Sequence, residues 1–161
     1  MHPITALQSE YSLFSRDIED EIIPTLQELG IGLVSYSPLG RGVLTGRFTS
    51  SADFSGGGDF RGAAPRFNEE NFDANYALVQ QVEKIAAEKG ITAGQLALAW
   101  VINKSENIVP IPGTKRIKYL EENAAAAVVQ LSADEITRLE QAIPAGSVAG
   151  DRYANMSTID Q

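Results

Sequence analysis

The segment Val34-Ser35-Tyr36-Ser37-Pro38-Leu39-Gly40-Arg41-Gly42-Val43-Leu44-Thr45-Gly46 sets glycines and an arginine directly behind a short apolar run. Parallel α/β proteins bind ligands at the C-terminal ends of their strands, and this loop falls at such an end. Glycines let the backbone come close to phosphate oxygens, its N–H groups can point at them, and Arg41 adds a charged donor. The spacing, Gly-x-Gly-x-x-x-Gly, is one residue longer than the dinucleotide fingerprint, and no helix follows it. Spacing alone therefore fits a flexible surface turn equally well.

Ile108-Val109-Pro110-Ile111-Pro112-Gly113-Thr114-Lys115-Arg116-Ile117-Lys118 repeats the theme. An extended run ends at a helix N-terminus, where the dipole and free N–H groups favour an anion, and Lys115, Arg116 and Lys118 add positive charge. A single segment of this kind is ordinarily a solvated basic turn. Two on successive strand ends point to a shared phosphate pocket.

Residues for catalysis are scarce. His2 is the sole histidine and lies at a terminus. Asp17, Glu19, Asp20 and Glu21 are explained as acidic residues on a first helical turn, which needs no metal. Trp100, among Leu98, Val101 and Ile102, reads as core. Tyr11, Tyr76, Tyr119 and Tyr153 have no neighbouring Lys, Asp and His arrangement that would prepare a phenol for acid catalysis. No catalytic residue and no metal ligand is assigned.

The elements that must position the two loops alternate. Residues 6 to 14 alternate apolar and polar as a short strand, with Ser15 and Asp17 as helix-start chemistry, and a helix is expected over 19–29 with Gly30 as its stop. Residues 32–36 suit a buried strand. From 37 to about 71 the chain is rich in Gly, Ser, Pro and Asp, including Gly56-Gly57-Gly58, and reads as a long loop of the kind that forms lids or mobile segments. Helices follow over 73–89 and from the Thr92–Gln95 capping box to about Asn103. After the strand at 108–112, Gly113-Thr114 serves as turn and cap for a helix over 116–129, and Ser132-Ala133-Asp134-Glu135 opens another that ends before Pro144. Residues 145–161 read as an irregular tail. The order implies a parallel α/β sheet of three legible strands with two uncovered edges.

Composition sets the outer limits. The chain has 161 residues, 43% hydrophobic and 21% charged, which suits one folded domain. It contains no cysteine, so disulfides and thiolate chemistry are excluded and a cytoplasmic address is expected. Neither a basic, apolar leader nor a run of ~20 apolar residues is present, so no membrane association is expected. A net charge of −8 disfavours nucleic acid but leaves room for a local phosphate pocket.

Gln8-Ser9-Glu10-Tyr11-Ser12-Leu13-Phe14-Ser15-Arg16-Asp17, Tyr36 to Gly42, Asp59-Phe60-Arg61, Pro65-Arg66-Phe67, Glu70-Asn71-Phe72, Pro112 to Lys115 and Glu121-Glu122-Asn123 together resemble the aldo-keto reductase superfamily, in its branch of general aldehyde and ketone reductases. The resemblance spans roughly residues 3 to 150. It implies part of a (β/α)8 barrel, a TIM barrel, holding the last three βα units and the C-terminal helices. By that resemblance NADP(H) is the cofactor and a small carbonyl compound the substrate of the complete enzyme. Gln8 would bond the nicotinamide carboxamide and Tyr36 stack on its ring. Ser37, Pro38, Leu39, Gly40, Arg41 and Gly42 would wrap the pyrophosphate. Gly113, Thr114 and Lys115 would surround the 2′-phosphate, and Glu122 and Asn123 would contact adenine. The family's catalytic Asp, Tyr, Lys and His belong to earlier strands, so this chain alone is expected to be inactive. An N-terminal half-barrel, or a second copy of the chain, could cover its edges, and a non-catalytic interaction module is the alternative.

Overall fold

The computed structural model describes residues 2–56, 58–157 and 159; Met1, the middle glycine of the 56–58 triplet and parts of the 145–161 tail lie outside that description. Strand β1 (Ala6–Glu10), helix α1 (Ile22–Leu29) and strand β2 (Gly32–Tyr36) make one parallel crossover unit. Helices α2 (Glu69–Lys89) and α3 (Ala93–Lys104) lead to β3 (Ile108–Pro110), followed by α4 (Ile117–Ala125) and α5 (Ala133–Ala142). The sheet order is β1-β2-β3, with Gln8 opposite Val34 and Val34 opposite Val109. β1 and β3 each pair on one side only.

Alternation along the strands gives the sheet two unlike faces. Leu33, Ser35 and Ile108 point into the helical layer and are buried. Gln8, Val34 and Val109 share the other face, which no helix of the described residues covers: Val109 is 58% exposed and Ile111 beyond it 45%. The core sits between the first face and the helices. It centres on Trp100, with Leu96, Val79, Val82, Leu139 and Ile143. Helix α3 is buried on almost every side, which is why its sequence is apolar all round rather than striped.

Both capping boxes form: Thr92 with Gln95, and Ser132 with Glu135. Several other expectations are corrected. The first strand stops at Glu10, because Ser12 and Ser15 pair backbone to backbone in a tight turn whose residues are buried. Ser15 does not cap a helix; its hydroxyl donates to Glu10, and α1 starts at Ile22 instead of 19. Thr114 is not the α4 cap either. That position belongs to Arg116, whose N–H donates to the Thr114 hydroxyl at 3.2 Å.

The expected 37–71 loop is replaced by 3₁₀ turns at 40–45, 51–54, 60–63 and 65–67, and α2 begins at Glu69 behind an Asn68 cap. Phe54 holds these turns down, its ring 4.9 Å from Phe48, 5.1 Å from Phe67 and 5.6 Å from Phe72. Among the described residues no helix is long and apolar enough to cross a membrane.

Candidate functional site

At Tyr36 the chain leaves β2 and coils at once. Ser37, Gly40, Arg41 and Gly42 take φ of 50°, 56°, 58° and 96°, and the turns close through Gly40 N–H to the Ser37 carbonyl and Gly42 N–H to the Leu39 carbonyl. Arg41 is strained in that conformation, at a cost of about 1–2 kcal/mol. Its side chain is anchored: Nη2 donates to the Glu10 carboxylate at 3.1 Å, Nη1 donates to the Arg152 carbonyl, and the guanidinium lies 4.2 Å from the Tyr153 ring. Gly42 suits this turn: its φ of 96° is strained for other residues, and a Cβ there would stand 3.2 Å from Phe48 Cε2 and 3.4 Å from Arg61 Nη1. Arg61 completes the wall by donating to the Arg41 carbonyl and gripping Asp59, whose carboxyl is held below its ordinary range by those hydrogen bonds.

The opposite wall is the segment from β3 into α4. Its position is fixed from α3: Thr92 Oγ1 donates to the Glu122 carboxylate at 2.7 Å, and Gln95 Nε2 donates to the Glu122 carbonyl at 3.3 Å. Between the walls lies a cleft of about 700 Å³, inside the ~300–1,000 Å³ typical of small-molecule and cofactor sites.

Ser37, Pro38, Leu39, Arg41, Gly42, Gly113, Thr114, Glu122 and Asn123 line this cleft together. Four of the sequence-derived residues stand outside its lining. Gln8 is exposed on the open sheet face, Gly40 is buried beneath the loop, and Lys115 is exposed beside Thr114. Tyr36 is half-buried, and its hydroxyl is pushed up to about 12 by burial, by a hydrogen bond with Tyr153 and by the Glu10 charge. The Arg41 guanidinium is engaged by Glu10 and the tail.

Other lining residues were not singled out as a site from sequence: Thr45, Arg47, Phe48, Arg61, Thr92, Gly94 and Tyr119. Arg47 is exposed and has no carboxylate ion-pair partner among the described residues. It lies 5.2 Å from the Phe48 ring and 6.0 Å from that of Tyr119, which Arg116 approaches to 5.9 Å. For Tyr119 the available signal was helical spacing: Tyr119 and Glu122 are three apart in α4 and so share a side of it.

This arrangement places cations beside a cleft but prepares none of the tyrosines Tyr11, Tyr76 and Tyr119 for proton transfer. Tyr11 is buried with its hydroxyl donated to Glu19 at 2.6 Å, and burial pushes its ionisation far up. Tyr76 stacks on Phe72, and Tyr119 stands between Arg47 and Arg116.

The profile of the Aldo/keto reductase family matches residues 1–144. A probable aldo-keto reductase 1 of Glycine max is 46% identical over 155 residues, covering 96% of this chain and 44% of that protein. The aldo-keto reductase yakc of Schizosaccharomyces pombe, named as an NADP(+) enzyme, is 47% identical over 156 residues, covering 95% and 46%. Among solved structures, an aldo-keto reductase from Klebsiella pneumoniae in complex with NADPH aligns with a TM-score of 0.62 at 26% identity, over 87% of this chain and 39% of that one. A glycerol dehydrogenase from Gluconobacter oxydans shares the fold, with a TM-score of 0.79 at 24% identity over 88% and 42%. The chain thus spans a little under half the length of the curated relatives it matches, and its three parallel strands with their helices form part of a (β/α)8 barrel. On the match over residues 1–144 and that shared architecture, the chain belongs to the aldo/keto reductase family.

Proposed function

We propose that this chain is the NADP(H)-binding C-terminal part of an aldo-keto reductase that, when complete, reduces aldehydes and ketones. The observation that carries this reading is the cleft between the β2 loop and the start of α4, with Arg47 beside it and without a carboxylate partner. The residues fit a phosphorylated dinucleotide: Gly42, at a φ rarely adopted by side-chain-bearing residues, keeps backbone at the cleft, and Arg47 lines it with Lys115 and Arg116 on the adjoining segment of an otherwise acidic protein. Ser37 to Gly42 would hold the pyrophosphate. Gly113, Thr114 and Lys115 would meet the 2′-phosphate, and Glu122 and Asn123 the adenine. Tyr36 and Gln8 would present the nicotinamide end. Arg47 and Arg116 join this set as charge donors.

When bound, the cofactor supplies the hydride. This stretch of chain orients it but offers no proton donor, since its tyrosines are buried, paired or stacked as described. General-acid assistance of typically 10² to 10⁴-fold must come from elsewhere in a complete enzyme. The uncovered sheet face with Val109 and Ile111, and the two single-paired edges, favour an N-terminal half-barrel as partner. Self-association as a non-catalytic interaction module would use the same edges. A cytoplasmic address belongs to this proposal through the absence of cysteine.

Calorimetric titration with NADPH and NADH tests the cofactor reading. NADPH is expected to bind more tightly, because a 2′-phosphate meets cations that a ribose hydroxyl does not. Equal affinities, or no binding, refute it. Turnover of a reactive aldehyde by the chain alone would refute the missing proton donor.

A further inference from the structure

The segment after α5 contains no helix or strand among its described residues, yet it is fastened. Asn75, only 1% exposed, donates from Nδ2 to the Ala149 carbonyl at 2.9 Å and accepts the Ala149 N–H at 2.8 Å. Arg66 Nε donates to the Gly150 carbonyl at 3.2 Å. Gly150 sits at φ 80°, where a Cβ would come within 2.6 Å of Asn71 Nδ2 and 3.0 Å of the Pro65 carbonyl oxygen, so the chain can turn there only with glycine.

From that anchor the next residues run back to the β2 loop. The Arg152 carbonyl accepts from Arg41, and the Arg41 guanidinium stacks on the Tyr153 ring. Tyr153 also reaches the hydroxyl of Tyr36. Neither Arg152 nor Tyr153 lines the open cleft; both lie beyond it, at its Tyr36 end.

We propose that residues 151–153 form a strap over the nicotinamide end of the cofactor wall, which a whole dinucleotide must displace and a ligand confined to the adenosine-phosphate end need not. This rests on the NADP(H) reading above and adds a regulation to it. A ligand that binds only the strap-open state has its affinity reduced by the fraction of chains that are open. A strap open in about one chain in ten weakens NADPH on the order of tenfold. The 2′-phosphate and adenine positions lie on the α4 side of the cleft and are untouched by it.

The test titrates NADPH and adenosine 2′,5′-bisphosphate into the intact chain, Tyr153→Ala and a chain ending at Gly150, with thermal melts to verify folding. The strap predicts that NADPH tightens on the order of tenfold in both variants while the bisphosphate changes less than about twofold. Unchanged or weakened NADPH binding in Tyr153→Ala overturns the strap, and bisphosphate binding then leaves the cofactor reading standing. Equal tightening of both ligands also overturns it, since the tail would then act on the whole cleft. Failure of both ligands to bind any folded form overturns strap and cofactor reading together. Should the shortened chain not fold, Tyr153→Ala decides alone.

Discussion

Arg41 and Arg47 occupy the same loop, one anchored by buried partners and the other exposed at the cleft, and the proposed function assigns them separate duties that a pair of substitutions distinguishes. Glu10 is 2% exposed and its carboxylate accepts from Arg41 Nη2 and Ser15 Oγ, each at 3.1 Å. Arg41→Met leaves that charge buried with Ser15 and the nearby Arg66, which itself donates to the Ser15 hydroxyl. Breaking one side of a buried pair costs about 3–5 kcal/mol, and the remaining neighbours place this case near the lower end, about 3 kcal/mol. For a chain of this size that is a fall of roughly 6–12 °C in Tm. The double variant Glu10→Gln/Arg41→Met buries no orphaned charge and should recover at least about half of the loss. Arg47→Ala, at an exposed site without a carboxylate ion-pair partner among the described residues, should shift stability by no more than about 0.5 kcal/mol while weakening NADPH on the order of tenfold. Urea unfolding, read for midpoint and slope, with NADPH titration of the folded variants, makes the comparison. The reasoning fails if Arg41→Met unfolds at the wild-type midpoint, or if Arg47→Ala is the one that destabilises.

Two further outcomes follow from the packing. Burial alone would raise the Glu19 carboxyl, but hydrogen bonds from Arg16 and Tyr11 and the charge of Lys104 outweigh it and hold the group below its ordinary value. A depressed folded value adds stability that is complete above the unfolded pKa and lost as pH falls through the folded one. Stability should therefore hold from pH 7 down to about 5 and decline below about 4.5, with a shallower decline in Glu19→Gln; identical acid profiles would rule out this origin. Phe54→Ala should cost about 3–5 kcal/mol and speed proteolysis between α2 and the β2 loop. A negligible cost in denaturant would mean that the aromatic cluster does not hold those turns.

Legibility in the sequence followed the range of the interaction. The capping boxes at Thr92–Gln95 and Ser132–Glu135 were readable because both partners lie within one turn of each other. The 3₁₀ region was not, because Phe48, Phe54 and Phe67 follow neither a helical nor a strand period and meet one another only after the chain has folded. The glycine loop and the α4 start were singled out by residue type as candidate ligand loops, and they flank one cleft. The orientation of the Arg41 side chain was not recognisable. Its partners are Glu10 on another strand and Arg152 in the tail, and no local spacing announces either.

The distribution of paired and unpaired cations bears on the proposal that a chain of net charge −8 holds a phosphate site. On the outer helical layer Arg16 and Lys104 meet Glu19 and Glu140, Lys89 meets Glu135, and Arg138 meets Glu88. Around the cleft the pattern is mixed: Arg41 pairs with Glu10 and Arg61 with Asp59. Arg47, Lys115, Arg116 and Lys118 have no carboxylate ion-pair partner among the described residues, and they lie on or beside the two segments that form its walls. Screening confines the acidic surface to about 8 Å at physiological salt, so its repulsion hardly reaches a cleft whose own rim is cationic. Low-dielectric walls then concentrate the local field on whatever sits between them. The overall charge and the local charge beside the cleft can thus have opposite signs, because carboxylates pair most cations of the outer helical layer and leave Arg47, Lys115, Arg116 and Lys118 without such a partner among the described residues.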